Sequence, residues 1–234
     1  MTTLKRAVYP VLFLASLLVG LSACSNEQGE RKAFIEFLQT RIIDQPGLRV
    51  PKLTADEKKS LGEYSAQYAV IGDFNDRMGQ AFNAASPAIQ TMASLSTPQQ
   101  LMTGQARIGE ARDALAKVKG QLAGELAQTQ TARAKLEQPD DLKPVYQAAF
   151  DKTVSKPSEL MLKVLEQTDG ILAEANKFAV FLESNQASMN FVGSQVEVSD
   201  PKLLEALNAH LGALNEKRQK LMALQGELGA MVGG

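Results

Sequence analysis

The stretch TPQQLMTGQARIGEARDALAKVKGQL, residues 97–122, decides the fold. Leu101, Ile108, Leu115 and Leu122 recur every seven residues, and Ala111 and Val118 fall between them. Such alternating three- and four-residue spacing lays one apolar stripe along one face of an α-helix, as in a coiled-coil seam. Thr97 is placed to cap this helix, Pro98 suits its first position, and Gln100 can close a capping box. Leu126 and Leu136 extend the apolar face, so the pattern predicts a helix reaching about Gln138, before Pro139.

A matching stripe lies upstream. Leu61, Tyr64, Tyr68, Ile71, Asn75, Met78, Phe82, Ala85, Ile89 and Met92 form a second heptad seam with one polar member, Asn75. Thr54-Ala-Asp-Glu57 is a capping box that opens its helix. Ser65, Gly72, Gly79 and Ser86 make a stripe of small residues beside the seam. Interior glycine costs a helix about 1 kcal/mol relative to alanine, and close approach of another helix is the expected reason for tolerating two. Pro87 marks a kink or a break. The connection at 94–97 is short enough to force an antiparallel hairpin. Two helices of ~40 residues would each be about 60 Å long.

The rest of the chain supplies neighbours. Phe34, Ile35, Leu38 and Ile42, with Phe37 beside them, predict a first helix from about Glu30 to Ile43, ended by Pro46-Gly47. Arg31, Lys32 and Arg41 allow this helix to lie on anionic lipid instead, but such a stripe more often packs into a core. Asp140 or Asp141 is placed to cap a shorter helix carrying Leu142, Val145, Phe150 and Val154, with Pro144 in its first turn. A fifth helix begins near Pro157 or Ser158 and buries Leu160, Val164, Leu165, Ile171, Leu172, Ala175, Phe178 and Leu182. FVGSQVEV, residues 191–198, has β character but no evident strand partner, and reads as an ordered crossover loop. Asp200-Pro201 starts a last helix, with Leu204, Leu207, Leu211, Leu214, Leu221 and Leu228 on one face and Leu203 and Leu224 widening it. That face requires a partner helix. The expectation is an all-α fold, an elongated antiparallel bundle of about six helices around a long central hairpin, with residues 32–234 as one domain.

The chain begins differently. Lys5 and Arg6 precede an apolar run that ends near Val19 and leads to small residues, the order of a secretory signal. The run is shorter and less uniform than the roughly 20 apolar residues of a spanning helix. Leu21-Ser-Ala-Cys24 contains the only cysteine and resembles the lipobox of bacterial lipoproteins. That resemblance implies acylation of the Cys24 thiol, cleavage before it, and acylation (palmitate or a similar chain) of the new amino group. Residues 1–23 are then a leader and 24–31 a polar tether from the lipidated Cys24, reaching about 25 Å when extended. Two or more acyl chains give a stable anchor where one gives a marginal one. An ordinary cleaved leader or an uncleaved anchor helix is the alternative. Ser25 stands where an Asp commonly signals inner-membrane retention, which favours the outer membrane over the inner for a protein facing the periplasm.

The leader holds two of the 25 basic residues and none of the 26 acidic ones, so cleavage leaves a net charge of −3. A mildly acidic body gives no electrostatic case for nucleic acid. With its cysteine acylated the chain forms no internal disulfide. Absent tryptophan disfavours a sugar-stacking platform. A zinc site needs three or four His, Cys or carboxylate ligands, and here there is one histidine. His210 sits among Leu207, Leu211 and Leu214 and reads as a satisfied helix histidine. Asp73-Phe-Asn-Asp76 falls inside a helix and lacks the glycine and distant Glu of a calcium loop. No catalytic, metal or cofactor-binding residue is expected, although two carboxylates brought together by folding would leave no local trace. The leading functional expectation is a non-enzymatic, membrane-anchored bundle that binds an envelope protein or supports an assembly. The alternative is a small-ligand or lipid-binding module, with Met78, Met92, Met102 and Met189 lining an adaptable apolar cavity.

Arg31-Lys-Ala-Phe-Ile-Glu-Phe-Leu-Gln39 is similar to the start of the mature domain in YiaF-like lipoproteins of Gram-negative bacteria. Leu53-Thr-Ala-Asp-Glu-Lys-Lys59, Asp140-Asp-Leu-Lys-Pro-Val145 continuing to Phe150, and Phe191-Val192 resemble further segments of that family. The resemblance runs from the leader to about Val198. It implies location and no activity, and the one functional residue it carries over is the lipidated Cys24.

Overall fold

The computed structural model describes the backbone of residues 18–233, with side chains from residue 26 onward except at 81–82, 84–89 and 91–93. Helix α1 (Leu18–Leu38) runs into a π turn at Gln39–Ile43. It is followed by α2 (Ala55–Leu61), α3 (Tyr64–Ala93), α4 (Pro98–Thr103), α5 (Gln105–Ala134) and α6 (Leu142–Phe150). A second π turn, Asp151–Ser155, leads directly into α7 (Lys156–Ser184). A two-stranded antiparallel sheet, β1 (Met189–Val192) and β2 (Gln195–Val198), precedes α8 (Pro201–Gly233). The architecture is the all-α bundle that the apolar spacing predicts.

The seven-residue repeat of α5 is the spine of the core. Ile108, Ala111, Leu115, Val118 and Leu122 are all buried, with Tyr64, Tyr68, Ile71 and Phe74 of α3 in the same cluster. Arg77 reaches across the flank of the hairpin to Glu125 at 2.5 Å. Phe82, Ala85, Ser86, Ile89 and Met92 lie outside the described side chains, while the α3 backbone continues through Pro87. Helix α1 closes one end. Phe34, Leu38 and Ile42 are fully buried, Phe34 stacks on Tyr64 at 5.6 Å, and Phe37 meets Tyr68 edge-on at 5.0 Å. Two of its three cations pair within the bundle, Arg31 with Asp141 at 3.5 Å and Arg41 with Glu57 at 3.3 Å, and Lys32 is exposed. The core reading of this helix therefore holds over the lipid-surface one.

Both capping boxes form as the sequence predicts, Thr54 with Glu57 and Thr97 with Gln100. The rods they open are shorter than expected. Gly62 adopts φ 53°, a conformation that side chains disfavour, and separates α2 from α3. Gly104 separates α4 from α5, and α5 stops at Ala134. Each central rod has 30 residues, about 45 Å. The small-residue stripe does not serve close helix approach among the described residues: a Cβ added at Gly72 or Gly79 meets no described atom within 4 Å. Close approach occurs instead at Gly104, where a Cβ would lie 2.5 Å from the Gln100 carbonyl oxygen and from Leu95 Cδ2.

Three further expectations are corrected. Asp141 makes no capping hydrogen bond; its carboxylate faces Arg31, and Asp140 binds Lys143 at 2.8 Å. Helices α6 and α7 are one rod, joined through the π turn, where two were expected. Pro157 has no N–H for the Thr153 carbonyl four residues back. The Asn75 amide donates to that carbonyl at 3.4 Å and to Ile71 O at 3.0 Å, which accounts for the polar member of the α3 seam. Residues 191–198 are a hairpin, because the chain just before them supplies the missing partner: Met189 pairs with Val198 and Phe191 with Val196. Gly193, at φ 60°, permits the tight turn.

Residues 24–31, expected as a polar tether, are helical and part of α1. Tyr64 Oη donates to Glu27 at 2.5 Å. Burial, and then that bond, push the Tyr64 hydroxyl pKa up to about 12.

Candidate binding groove

Helix α8 lies along α7. Leu207 and Leu221 are buried and Leu214 is half-buried, so the partner helix that the leucine face requires is α7. Gln167 Nε2 donates to the Lys217 carbonyl at 3.1 Å. His210 lies on the same seam, with Nδ1 3.1 Å from Glu174 Oε1 and its ring 4.9 Å from Phe181 and 5.7 Å from Phe178. Buried Glu174 is also approached by Lys177 at 3.5 Å. This is the satisfied helix histidine that its leucine neighbours predict. Asp200 Oδ1 accepts from the Lys202 N–H at 2.8 Å, fixing the start of the helix.

One flank of α8 is not covered. Leu204 and Leu211 are 42% and 47% exposed. Beside that flank is a half-open groove of 960 Å³, walled by α7 (Ile171, Leu172, Ala175, Phe178) and α8 (Leu207, Leu211, Leu214, Leu221). The start of α4, with Leu95, Pro98 and Leu101, and the β2 strand, with Val196, complete it. The volume is at the upper end of the roughly 300–1,000 Å³ of small-molecule sites. Two ionic side chains line it, Glu197 and Arg218. Glu197 accepts from Asn190 Nδ2 at 2.8 Å. Arg218 has no hydrogen bond or ion pair with any described residue.

A smaller notch of 380 Å³ lies between α5 and α7 and is lined mainly by charges. Arg112 binds Asp169 through two nitrogens, at 2.8 and 3.3 Å, and Lys119 faces Glu166 at 3.8 Å. The hydrogen bond to Asp169 raises the already high pKa of Arg112. These charges answer one another, so the notch is a stapled seam between two rods.

The residues singled out from sequence are scattered. Cys24 lies on the α1 backbone, and its side chain is outside the described residues. Met78 packs against the main core, Met102 and Met189 belong to the smaller cluster around Phe178, and the Met92 side chain is not described. Met78, Met102 and Met189 do not line the groove, so the expected methionine lining is replaced by Leu, Ile, Ala and Phe. On α3, Asp76 pairs with Lys52 at 3.6 Å and Phe74 is buried, which leaves no calcium loop at Asp73-Phe-Asn-Asp76. Among the described residues no three His, Cys, Asp or Glu side chains are grouped to hold a metal, and no helix is long and apolar enough to cross a membrane. Sequence reasoning did not single out Arg218. The signal for the groove was present in the width of the α8 apolar face, from Leu203-Leu204 to Leu214, which exceeds what one neighbouring helix covers.

The sequence matches the family described as "Protein of unknown function (DUF3053)" over residues 11–228, and the chain belongs to that family. It is 28% identical over 210 residues to "Uncharacterized protein YiaF" of Escherichia coli strain K12, covering 88% of this chain and 89% of that protein. The protein of the same name from Shigella flexneri matches with the same identity and coverage. The family match extends past Val198 through most of α8, so the likeness does not stop at the hairpin as expected. No solved structure matches the chain.

Proposed function

We propose that this member of the family is a lipoprotein of the bacterial envelope, a non-enzymatic helical bundle anchored through acyl chains on Cys24, facing the periplasm, and serving as a binding or structural partner for another envelope protein. The observation that carries the reading is the Leu21-Ser-Ala-Cys24 ending placed directly before the docked part of α1. Only Ser25 and Asn26 separate Cys24 from Glu27, the residue that receives the Tyr64 hydroxyl. Even fully extended, that link spans about 10 Å. The end of the bundle built from α1, α2 and α6 therefore rests against the anchoring membrane. The groove lies farther out: Ile171 is fifteen residues beyond the start of α7 at Lys156, about 22 Å along the rod. Ser25 favours the outer membrane. Metabolic labelling with an alkyne palmitate tests the anchor. Wild-type protein takes the label, and Cys24→Ala stays unlabelled and retains its leader; an unlabelled wild type would end the reading. Co-purification from crosslinked envelopes tests the partner, and recovery of nothing above background counts against it.

A second reading, a small-ligand or lipid-binding module, is favoured by the groove itself. Native mass spectrometry of gently extracted protein should show bound mass, and a chain that is always bare removes this reading.

A further inference from the structure

We propose that the groove between α7 and α8 binds one fatty-acyl chain with an anionic head, a free fatty acid, whose carboxylate sits at Arg218. The proposal rests on the second reading above and names its ligand class. Three observations point the same way. The walls are aliphatic and aromatic, and Leu211 at the mouth is 47% exposed, a cost that an apolar occupant would relieve. The length fits a single chain: from Leu207 to Arg218 is eleven residues of α8, about 16 Å, while one leaflet of a bilayer, half of a ~30 Å hydrocarbon core, gives an acyl chain about 15 Å. The charge fits an acid. Arg218 is the one cation on the lining and is unpaired, whereas Glu197, on the hairpin that precedes α8, disfavours an anion at the other end. A guanidinium presents two parallel N–H donors that match a carboxylate. Chain and head are thus given one direction, methyl end toward Leu207 and carboxylate at Arg218. The acyl groups proposed for Cys24 are not candidates, because they leave from the α1 end of the bundle.

The test uses the full-length acylated protein in lipid nanodiscs, a diazirine palmitic acid, and the matching diazirine hexadecanol. Palmitate labelling should saturate and map to peptides covering residues 171–178 and 207–221. Arg218→Gln should weaken palmitate labelling about tenfold, close to 1.4 kcal/mol, and leave hexadecanol unchanged. Leu211→Asp, at an exposed position, should weaken both probes while helical circular dichroism is retained. Labelling that does not saturate, that maps away from the groove, or that is equal in wild type and Arg218→Gln overturns the proposal. So does a partner helix found crosslinked in the groove. If palmitate fails but another small molecule flies with the protein, the fatty-acid assignment falls and the ligand module stands. If nothing binds, both fall.

Discussion

The two ends of this bundle use the same device, leucine and its relatives at helical spacing, with different results. At the end built from α1 and α6, Phe34, Leu38, Ile42, Leu142 and Phe150 are completely closed to solvent. On α8, Leu207 is buried, but Leu204 and Leu211 remain more than 40% exposed. Both ends carry an apolar stripe at helical spacing. What differs is the surroundings: α1 and α6 are enclosed by the α3–α5 hairpin and by each other, whereas α8 leans mainly on α7, with the small hairpin beside it. Periodicity tells which face is apolar. It does not tell how much of that face a neighbour covers, and the uncovered part is where a ligand can bind.

The contrast can be broken most directly by truncation. Phe150→Ala should cost about 3–5 kcal/mol of stability, while Leu211→Ala should cost no more than about 1 kcal/mol. Urea unfolding followed by circular dichroism measures both, and equal costs would erase the distinction between the two ends. The junction at the π turn comes next. Asn75→Ala leaves the Thr153 carbonyl without its side-chain donor and should cost about 1–3 kcal/mol. In a Pro157→Ala background the chain regains an N–H of its own, so the cost should shrink, which a double-mutant cycle reads as coupling. Full additivity would deny the link.

Smaller effects sharpen the picture at the edges. Thr54→Ala should cost about 1 kcal/mol. The Thr54 backbone N–H and hydroxyl hold the Glu57 carboxyl below its usual pKa. A depressed folded-state pKa means stabilisation present above the unfolded value, about 4.3, and lost as pH falls through the folded one. The difference between wild type and Thr54→Ala should therefore narrow in acid, and a constant difference from pH 7 to pH 2.5 would contradict it. Last, the Thr129 hydroxyl is buried on α5 without a hydrogen-bond partner among the described residues. Thr129→Val should be neutral or raise stability by up to about 1 kcal/mol, read as a small increase in thermal midpoint.

Much of this fold was legible in the residues. The repeats of α3 and α5, the two capping boxes and the Asp200-Pro201 start all have local causes, so spacing alone reveals them. The failures have non-local or competing causes. Gly62 and Gly104 fall inside the stretches expected to be continuous helix, yet one takes a left-handed backbone and the other has no room for a side chain. Asp141 was an available cap that found Arg31 instead, a residue 110 positions away. The hairpin was missed because half of its first strand, Met189-Asn190, looks like a fading helix end. The groove was the least legible feature. Its lining comes from α4, α7, β2 and α8, and the width of the α8 apolar face hints at an uncovered flank without showing which elements wall it.

The π turn at Asp151–Ser155 has one more consequence. It holds one extra residue within a single turn of an otherwise α-helical rod, which sets everything after it back by about 100° around the axis from where an unbroken α-helix would place it. Tyr146 and Phe150 can then look toward Phe34 and Arg133, while Leu165 and Leu172 look toward α5 and α8. A single rod is thereby phased like a camshaft with two lobes, each timed to a different neighbour. The interval between Phe150 and Leu165 becomes a gear ratio of the molecule, and forcing the π turn back to α at unchanged length would turn the second lobe away from its neighbours.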